Sequence, residues 1–187
     1  MASVKNVINF RNDYEGEYYC FSSFYNFEFT HTFSSSVGEI YQQKFDNVEQ
    51  GFQYLKFFKP GENKISSESI KKMISMIVKE KSGSRVKKMC SEGYSVPGRI
   101  SEAKIVSCRS DWNLPAGENS VRLKYAFLFD LLKSRFEQDK QSLKILLSTG
   151  DSILRECSTD EYMGVGKDDR GENLYGRILM AIRDLNK

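Results

Sequence analysis

Aromatic and apolar positions change their spacing partway along the chain, from short runs near the start to helical periods after residue 46. Val7-Ile8-Asn9-Phe10 is a brief apolar run, and residues 13–17 form a polar turn carrying Gly16. Aromatics crowd residues 18–33, with Phe27, Phe29 and Phe33 on odd positions, which is the period of half-buried strands. Residues 7–33 are therefore predicted as strands and turns. A turn over 34–38 leads into Ile40-Tyr41, and Asp46 or Asn47 can cap the helix that follows. Pro60-Gly61 would end that helix. A second helix is predicted over 66–81, where Ile70, Met73, Ile74 and Ile77 form one apolar stripe.

Residues 82–120 are the least regular part. They hold Gly83, Gly93, Pro97-Gly98 and Asp111-Trp112-Asn113 before Pro115, and read as a long loop. Helical spacing resumes over 122–136, with Tyr125, Leu128, Leu132 and Phe136 inward, and again over 142–147. Ser148-Thr149-Gly150 breaks the second of these, and Ile153-Leu154 begins a strand. After a loop dotted with Gly164, Gly166 and Gly171, Asn173 is placed to cap a last helix that buries Leu174, Ile178, Ile182 and Leu185. Strands come first and helices mostly later, so the class is α+β, mostly helical with a small N-terminal β region. No internal repeat and no Pro- or Ser-rich linker divides the chain, which reads as one domain over 1–187.

Composition narrows the function classes. A net charge of +3 is too small a bias to indicate a nucleic-acid partner, yet it does not oppose an anionic ligand. Lys71, Lys72, Lys79, Lys81, Arg85, Lys87 and Lys88 cluster, which reads first as a solvated helix face and its trailing loop. The four cysteines (Cys20, Cys90, Cys108, Cys157) form no CxxC pair, and His31 is the one histidine, so no metal site is expected. Free thiols and no evident signal peptide fit a reducing, cytoplasmic setting. No apolar run approaches the roughly 20 residues that span a bilayer, so no membrane partner is expected.

Candidate chemistry lies in three places. In the helix after Asn47, Glu49, Gln53 and Lys56 fall at i, i+4 and i+7, beside an apolar face of Phe52, Leu55 and Phe58. Gly164-Val165-Gly166 is a weak dinucleotide signal, because position 169 is Asp and no GxxxxGK[ST] occurs. Backbone amides there, with the start of the Asn173 helix, can still hold a phosphate; a plain connector is the equal alternative. Asp160 and Glu156 flank Cys157-Ser158-Thr159, although exposed loop acids are commoner than catalytic ones. Trp112 either stacks on a base or plugs a core. Cys157 has no neighbouring histidine, which disfavours a Cys/His nucleophile, and His31 reads as structural.

Several segments together resemble one family. Ile8-Asn9-Phe10 followed by Phe21-Ser22-Ser23-Phe24-Tyr25 is similar to an INF...FSNF opening, and Val48-Glu49-Gln50-Gly51-Phe52-Gln53-Tyr54-Leu55-Lys56-Phe57 to an SEHxFQxxKF helix. Asp111-Trp112 is similar to a Trp loop, and Phe136-Glu137-Gln138 with Leu146-Leu147-Ser148-Thr149-Gly150 to KFxQ...LLxTG. Glu156 to Asp160, Gly164-Val165-Gly166 and Asn173-Leu174-Tyr175-Gly176-Arg177-Ile178-Leu179-Met180 resemble an ExxxD...WGxG...GxNxLGxxLMxxR tail. In this order and spacing the chain resembles the NADAR superfamily of YbiA-like proteins, from about Ile8 to Leu185. It departs at Gln50, where the pattern has His, at Met163, where it has Trp, at Ser23 for Asn, at Tyr175, and in a longer insert before Trp112.

The resemblance implies an α+β NADAR fold and a hydrolase that cleaves N-glycosidic bonds between a ribose and a base-like amine. The substrate it implies is ADP-ribosylated nucleic acid, DNA before RNA, with ADP-ribose released from guanine, in a bacterial cell or phage-infected host where a DNA-modifying toxin is countered. It also allows a small phosphoribosylamine of the riboflavin pathway, or a non-catalytic ADP-ribose or NAD-binding module. Under the resemblance Glu49, Lys56 and Asp160 are catalytic. Gln53, Trp112, Gly164, Gly166, Asn173 and Arg177 bind substrate. No cofactor and no metal are expected.

Overall fold

The first strand finds its partner near the other end of the chain, so the fold joins segments that the sequence keeps far apart. A computed structural model of the protein describes residues 6–11, 16–35, 38–59, 68–91, 108–114 and 122–187. In chain order the elements are β1 (Val7–Phe10), a 3-10 turn (Glu17–Phe21), β2 (Phe29–Ser34), β3 (Ile40–Phe45), α1 (Val48–Phe57), α2 (Glu68–Lys79), α3 (Gly83–Met89), α4 (Leu123–Gln138), α5 (Lys140–Ser148), β4 (Ile153–Glu156) and α6 (Leu174–Leu185). The class is α+β, as expected. Two units form: an outer one from residues up to Tyr25 and from Phe136 onwards, and a middle one from Asn26 to Arg135.

In the outer unit β1 and β4 pair in parallel, with Val7 opposite Ile153 and Phe10 opposite Glu156. Phe10 meets Phe21 edge-on at 5.8 Å, and Tyr175 donates its hydroxyl to the Phe21 carbonyl at 2.9 Å. α6 packs on β4. Gly176 makes that approach possible, because a Cβ there would stand 2.2 Å from the Leu154 carbonyl oxygen. Asp139 caps α5 by accepting the Ser142 amide at 3.0 Å. Arg183 staples α6 to the preceding turn, donating to Thr149 Oγ1 and to the Ser152 carbonyl.

The middle unit is built around α1. β2 and β3 form an antiparallel hairpin that places Phe29 opposite Phe45. Asn47 caps α1 by accepting the Gln50 amide at 2.9 Å, and its own amide donates to the Lys81 carbonyl at 2.8 Å and to Asn26 Oδ1 at 3.2 Å. Gln50 is buried; its Oε1 accepts the Asp46 amide at 2.7 Å. Its Nε2 donates to the carbonyls of Ile77 at 3.1 Å, Val78 at 3.3 Å and Glu80 at 2.9 Å. Those carbonyls lie where α2 runs out of intrahelical partners, so two side chains of α1 finish the end of α2.

Several expectations change. Residues 17–21 form a 3-10 turn, not a strand, because Cys20 and Phe21 are buried consecutively and strand geometry would send them to opposite faces. The stretch after 82 holds a helix, α3, capped by Ser82 and packed on α1. Asn173 precedes α6 but does not cap it. It sits at φ 50 and turns its side chain to β4, accepting from the Glu156 amide and donating to the Leu154 carbonyl. Leu185, expected inward, is 67% exposed at the frayed end of α6. Residues 13–15, Pro60-Gly61, the helix start at 66–67, Gly93, Pro97-Gly98 and Pro115 lie outside the described residues. Among the described residues no helix is long and apolar enough to cross a membrane.

Replacing Gln50 by Leu keeps the volume and takes the side-chain partner from the Asp46 amide and from the Val78 and Glu80 carbonyls, while the Ile77 carbonyl keeps the Glu80 amide. Chemical denaturation should show a loss of about 2–4 kcal/mol; an unchanged midpoint would mean the amide lattice carries no stability. His31 is buried with Nδ1 2.9 Å from Ser134 Oγ, and burial lowers its pKa from 6.5 to about 4. The unfolded chain takes up that proton first, so stability should fall as pH drops from 6.5 to about 4 and then level. Denaturation at a series of pH values should find about 3 kcal/mol of this loss in the wild type and none of it in His31→Gln.

Candidate functional site

Glu49 occupies the first turn of α1, where the unpaired amides of a helix start favour a carboxylate. It is 7% exposed. One turn on, Gln53 donates Nε2 to Glu49 Oε1 at 2.8 Å, the i, i+4 contact that the spacing anticipates. Gln53 is also 7% exposed, and its Oε1 is buried without a hydrogen-bond partner among the described residues. A buried acceptor left unmatched costs about 1–3 kcal/mol, so the arrangement is one that a bound donor would complete.

Lys56 extends the same face and donates Nζ to the Cys90 carbonyl at 2.7 Å, at the end of α3. Glu49 and Lys56 both act on the Cys90 thiol. Burial pushes that thiol up to about 12, with Lys56 pulling it down and Glu49 pushing it up. An acid and an amine thus both act on one buried sulfur, and the thiol stays protonated at neutral pH. Sequence reasoning missed Cys90, because the helix that delivers it is too short to leave a periodic signal.

The loop over 108–114 closes the other end of α1. The Arg109 amide donates to the Lys56 carbonyl at 2.9 Å and its guanidinium to the Phe58 carbonyl at 3.1 Å. The same guanidinium forks onto Asp111 at 2.5 and 2.8 Å and holds that carboxyl below its usual range, chiefly by hydrogen bonding. Trp112 is 5% exposed, 4.9 Å from Phe52 and stacked on Phe127 at 6.1 Å. Of the two readings open from sequence, the core plug is the one this packing matches; little ring is left for a base.

The remaining sequence candidates belong to the outer unit. Asp160 is exposed, and its Oδ1 accepts the amides of Tyr162 and Met163, both at 2.9 Å, so it ties its own turn. Gly164 is buried where a Cβ would stand 2.3 Å from both Glu156 Oε2 and Ser158 Oγ. Gly166 adjoins a cavity of about 370 Å³ whose lining mixes Lys167 and Arg170 with Glu161 and Asp168. Arg177 is exposed on α6. Part of the expected amide cradle for phosphate is already engaged within the loop. The amides of Gly171, Asn173, Leu174 and Tyr175 already donate to the carbonyls of Val165, Gly164, Tyr162 and Met163. Asn173 spends its side chain on β4 rather than on a ligand. Sequence did not single out Glu156 as a packed group, yet it is buried and accepts the Ser158 hydroxyl.

The NMR structure of the E. coli protein YbiA is similar, with a TM-score of 0.63 at 22% identity, covering 97% of this chain and 85% of that one. That likeness is one of fold. No curated protein sequence matches the chain. The NADAR domain model matches residues 9–185 and so runs through both units, and the chain belongs to the NADAR domain family.

Proposed function

We propose that this protein is an N-glycosidase that releases ADP-ribose from guanine bases of DNA. The observation that carries the reading is the buried Glu49–Gln53 pair, whose amide leaves an acceptor open beside a fixed carboxylate. Breaking a ribosyl–nitrogen bond develops positive charge at the anomeric carbon and an electron pair on the departing nitrogen. A carboxylate held rigidly in a poorly hydrated setting steadies the first of these better than one in water. Gln53 fixes which oxygen Glu49 presents, and its own Oε1 accepts a hydrogen bond from a substrate hydroxyl or N–H.

Lys56 supplies the nucleophile. In the opened sugar the C1′–O4′ pair has passed to O4′, which has taken a proton, and the base nitrogen is doubly bonded to C1′; the amine leaves the Cys90 carbonyl, gives its proton to water, and adds its lone pair to C1′ as the π pair returns to the base nitrogen. The base departs with the bonding pair and takes up a proton. The resulting Schiff base is hydrolysed by water, which returns the free amine and ADP-ribose. Trp112 contributes by anchoring the loop that closes α1, and Cys90 by giving Lys56 a resting place.

With an ADP-ribosylated guanine oligonucleotide, Glu49→Gln should release ADP-ribose about 10²–10⁴-fold more slowly while still binding. Equal rates would remove Glu49, and the reading with it. Gln53→Leu should lose about 10-fold or more, because it frees Glu49 to turn and takes away the acceptor. Borohydride should trap a covalent adduct with the wild type but not with Lys56→Arg; no adduct sinks the Schiff-base step. Turnover of a small phosphoribosylamine, with none of the oligonucleotide, would move the activity to the other substrate class.

A further inference from the structure

The middle unit concentrates positive charge on one pair of helices. Residues 68–91 hold seven Lys and Arg (71, 72, 79, 81, 85, 87, 88) against two Glu (68, 80). The whole chain holds 28 against 25, so all the rest carries 21 against 23, a slight excess of acid. All seven cations are exposed. They are exposed for a structural reason: Met73 and Ile77 of α2, and Gly83, Val86 and Cys90 along α3, face inward and turn the intervening positions out. Arg85 pairs with Glu80 at 2.8 Å. With seven cations against two acids, the exposed positions of α2 and α3 carry a local excess of positive charge.

This face is bolted to the candidate site. Gln50 grips the carbonyls of Ile77, Val78 and Glu80 at the end of α2, Asn47 grips that of Lys81, and Lys56 grips that of Cys90 at the end of α3. Asn47 and Gln50 at the start of α1, and the amine of Lys56, therefore hold the α2–α3 segment at its junction and at its far end. Whatever docks on α2 and α3 is set in register with α1.

We infer that the exposed face of α2 and α3 is a docking surface for the phosphate backbone of nucleic acid, which brings a modified base to α1. It rests on the function proposed above and deepens it by assigning the contact with the polymer. Exposed Lys and Arg side chains suit contact with backbone phosphates, which adds affinity and salt dependence but little sequence preference. An anionic membrane would attract the same charge but needs exposed apolar side chains beside it. Val78, 37% exposed, is the one large exposed apolar residue in this stretch among the described residues.

The test measures binding of a fluorescent 20-nucleotide DNA, single-stranded and duplex, by anisotropy from 50 to 300 mM salt. The wild type is compared with Lys71→Gln/Lys79→Gln/Lys81→Gln/Lys88→Gln, and with a control set on the outer unit, Lys140→Gln/Lys144→Gln/Lys167→Gln. The first set should bind at least about tenfold more weakly at 100 mM salt, and its salt slope should flatten by about one for each phosphate contact removed. The control set should bind as the wild type does, and both should turn over a free ADP-ribosylated guanosine at the wild-type rate. Undiminished binding and slope in the first set overturn the surface, as does an equal loss in the control set. So does binding of the wild type to phosphatidylserine vesicles with none to DNA. Glu49→Gln separates the two claims: if it turns over normally the glycosidase reading fails, while a wild-type DNA affinity in the same variant leaves the docking face standing.

Discussion

The middle unit depends on two buried amides at the start of one helix. Asn47 and Gln50 together satisfy the Asp46 and Gln50 amides and the carbonyls of Ile77, Val78, Glu80 and Lys81. They are helix-end or linker groups, and among them only the Ile77 carbonyl also accepts a backbone amide, that of Glu80 at 3.2 Å, among the described residues. Buried without the amides, they would cost more than the amides gain, which is why the lattice is a constraint and not an ornament. It fixes the direction in which α1 leaves the β2–β3 hairpin, and with it the direction of Glu49. The carboxylate is buried because the cap on one side and the clamp on the other leave it nowhere else to point.

Gln50 stands where the family pattern has histidine, and the chemistry of the two side chains explains what changes. A primary amide offers two donor hydrogens and a carbonyl acceptor at once, enough for Asp46 and the end of α2 together. A neutral imidazole offers one donor and one acceptor, and gains its second donor only by taking a proton. Glutamine therefore joins α1 to α2 in a way that does not titrate near neutral pH. It offers no titrating proton near neutral pH.

The sequence was most legible where one face of one element carried the information. Glu49, Gln53 and Lys56 are seven residues apart in all, and their spacing alone predicts the contact at 2.8 Å between the first two. It was least legible where a residue acts across the fold. Helix α3 has seven residues, four of them exposed, and is held by packing on α1 and not by its own propensity. Asn173 looks like a cap from its neighbours, yet its amide is worth more as a second edge for β4 than at the end of α6. Trp112 had two plausible environments in sequence, and only the positions of Phe52 and Phe127, 60 and 15 residues away, separate them.

The glycine-bearing loop of the outer unit shows how a ligand-like pattern can arise from packing alone. Gly164 is required because Glu156 and Ser158 already fill the space a side chain would take, and Gly176 because β4 passes too close for one. The amides of Gly164, Gly171, Glu172, Asn173, Leu174 and Tyr175 donate to the carbonyls of Asp160, Val165, Glu161, Gly164, Tyr162 and Met163. At those six amides an anion could bind only by displacing bonds already made. On α1, by contrast, the polar line leaves Gln53 Oε1 without a partner among the described residues. Unanswered groups, rather than glycine patterns, are what distinguish a surface open to a ligand from one already finished, and that contrast is what makes α1 the candidate site.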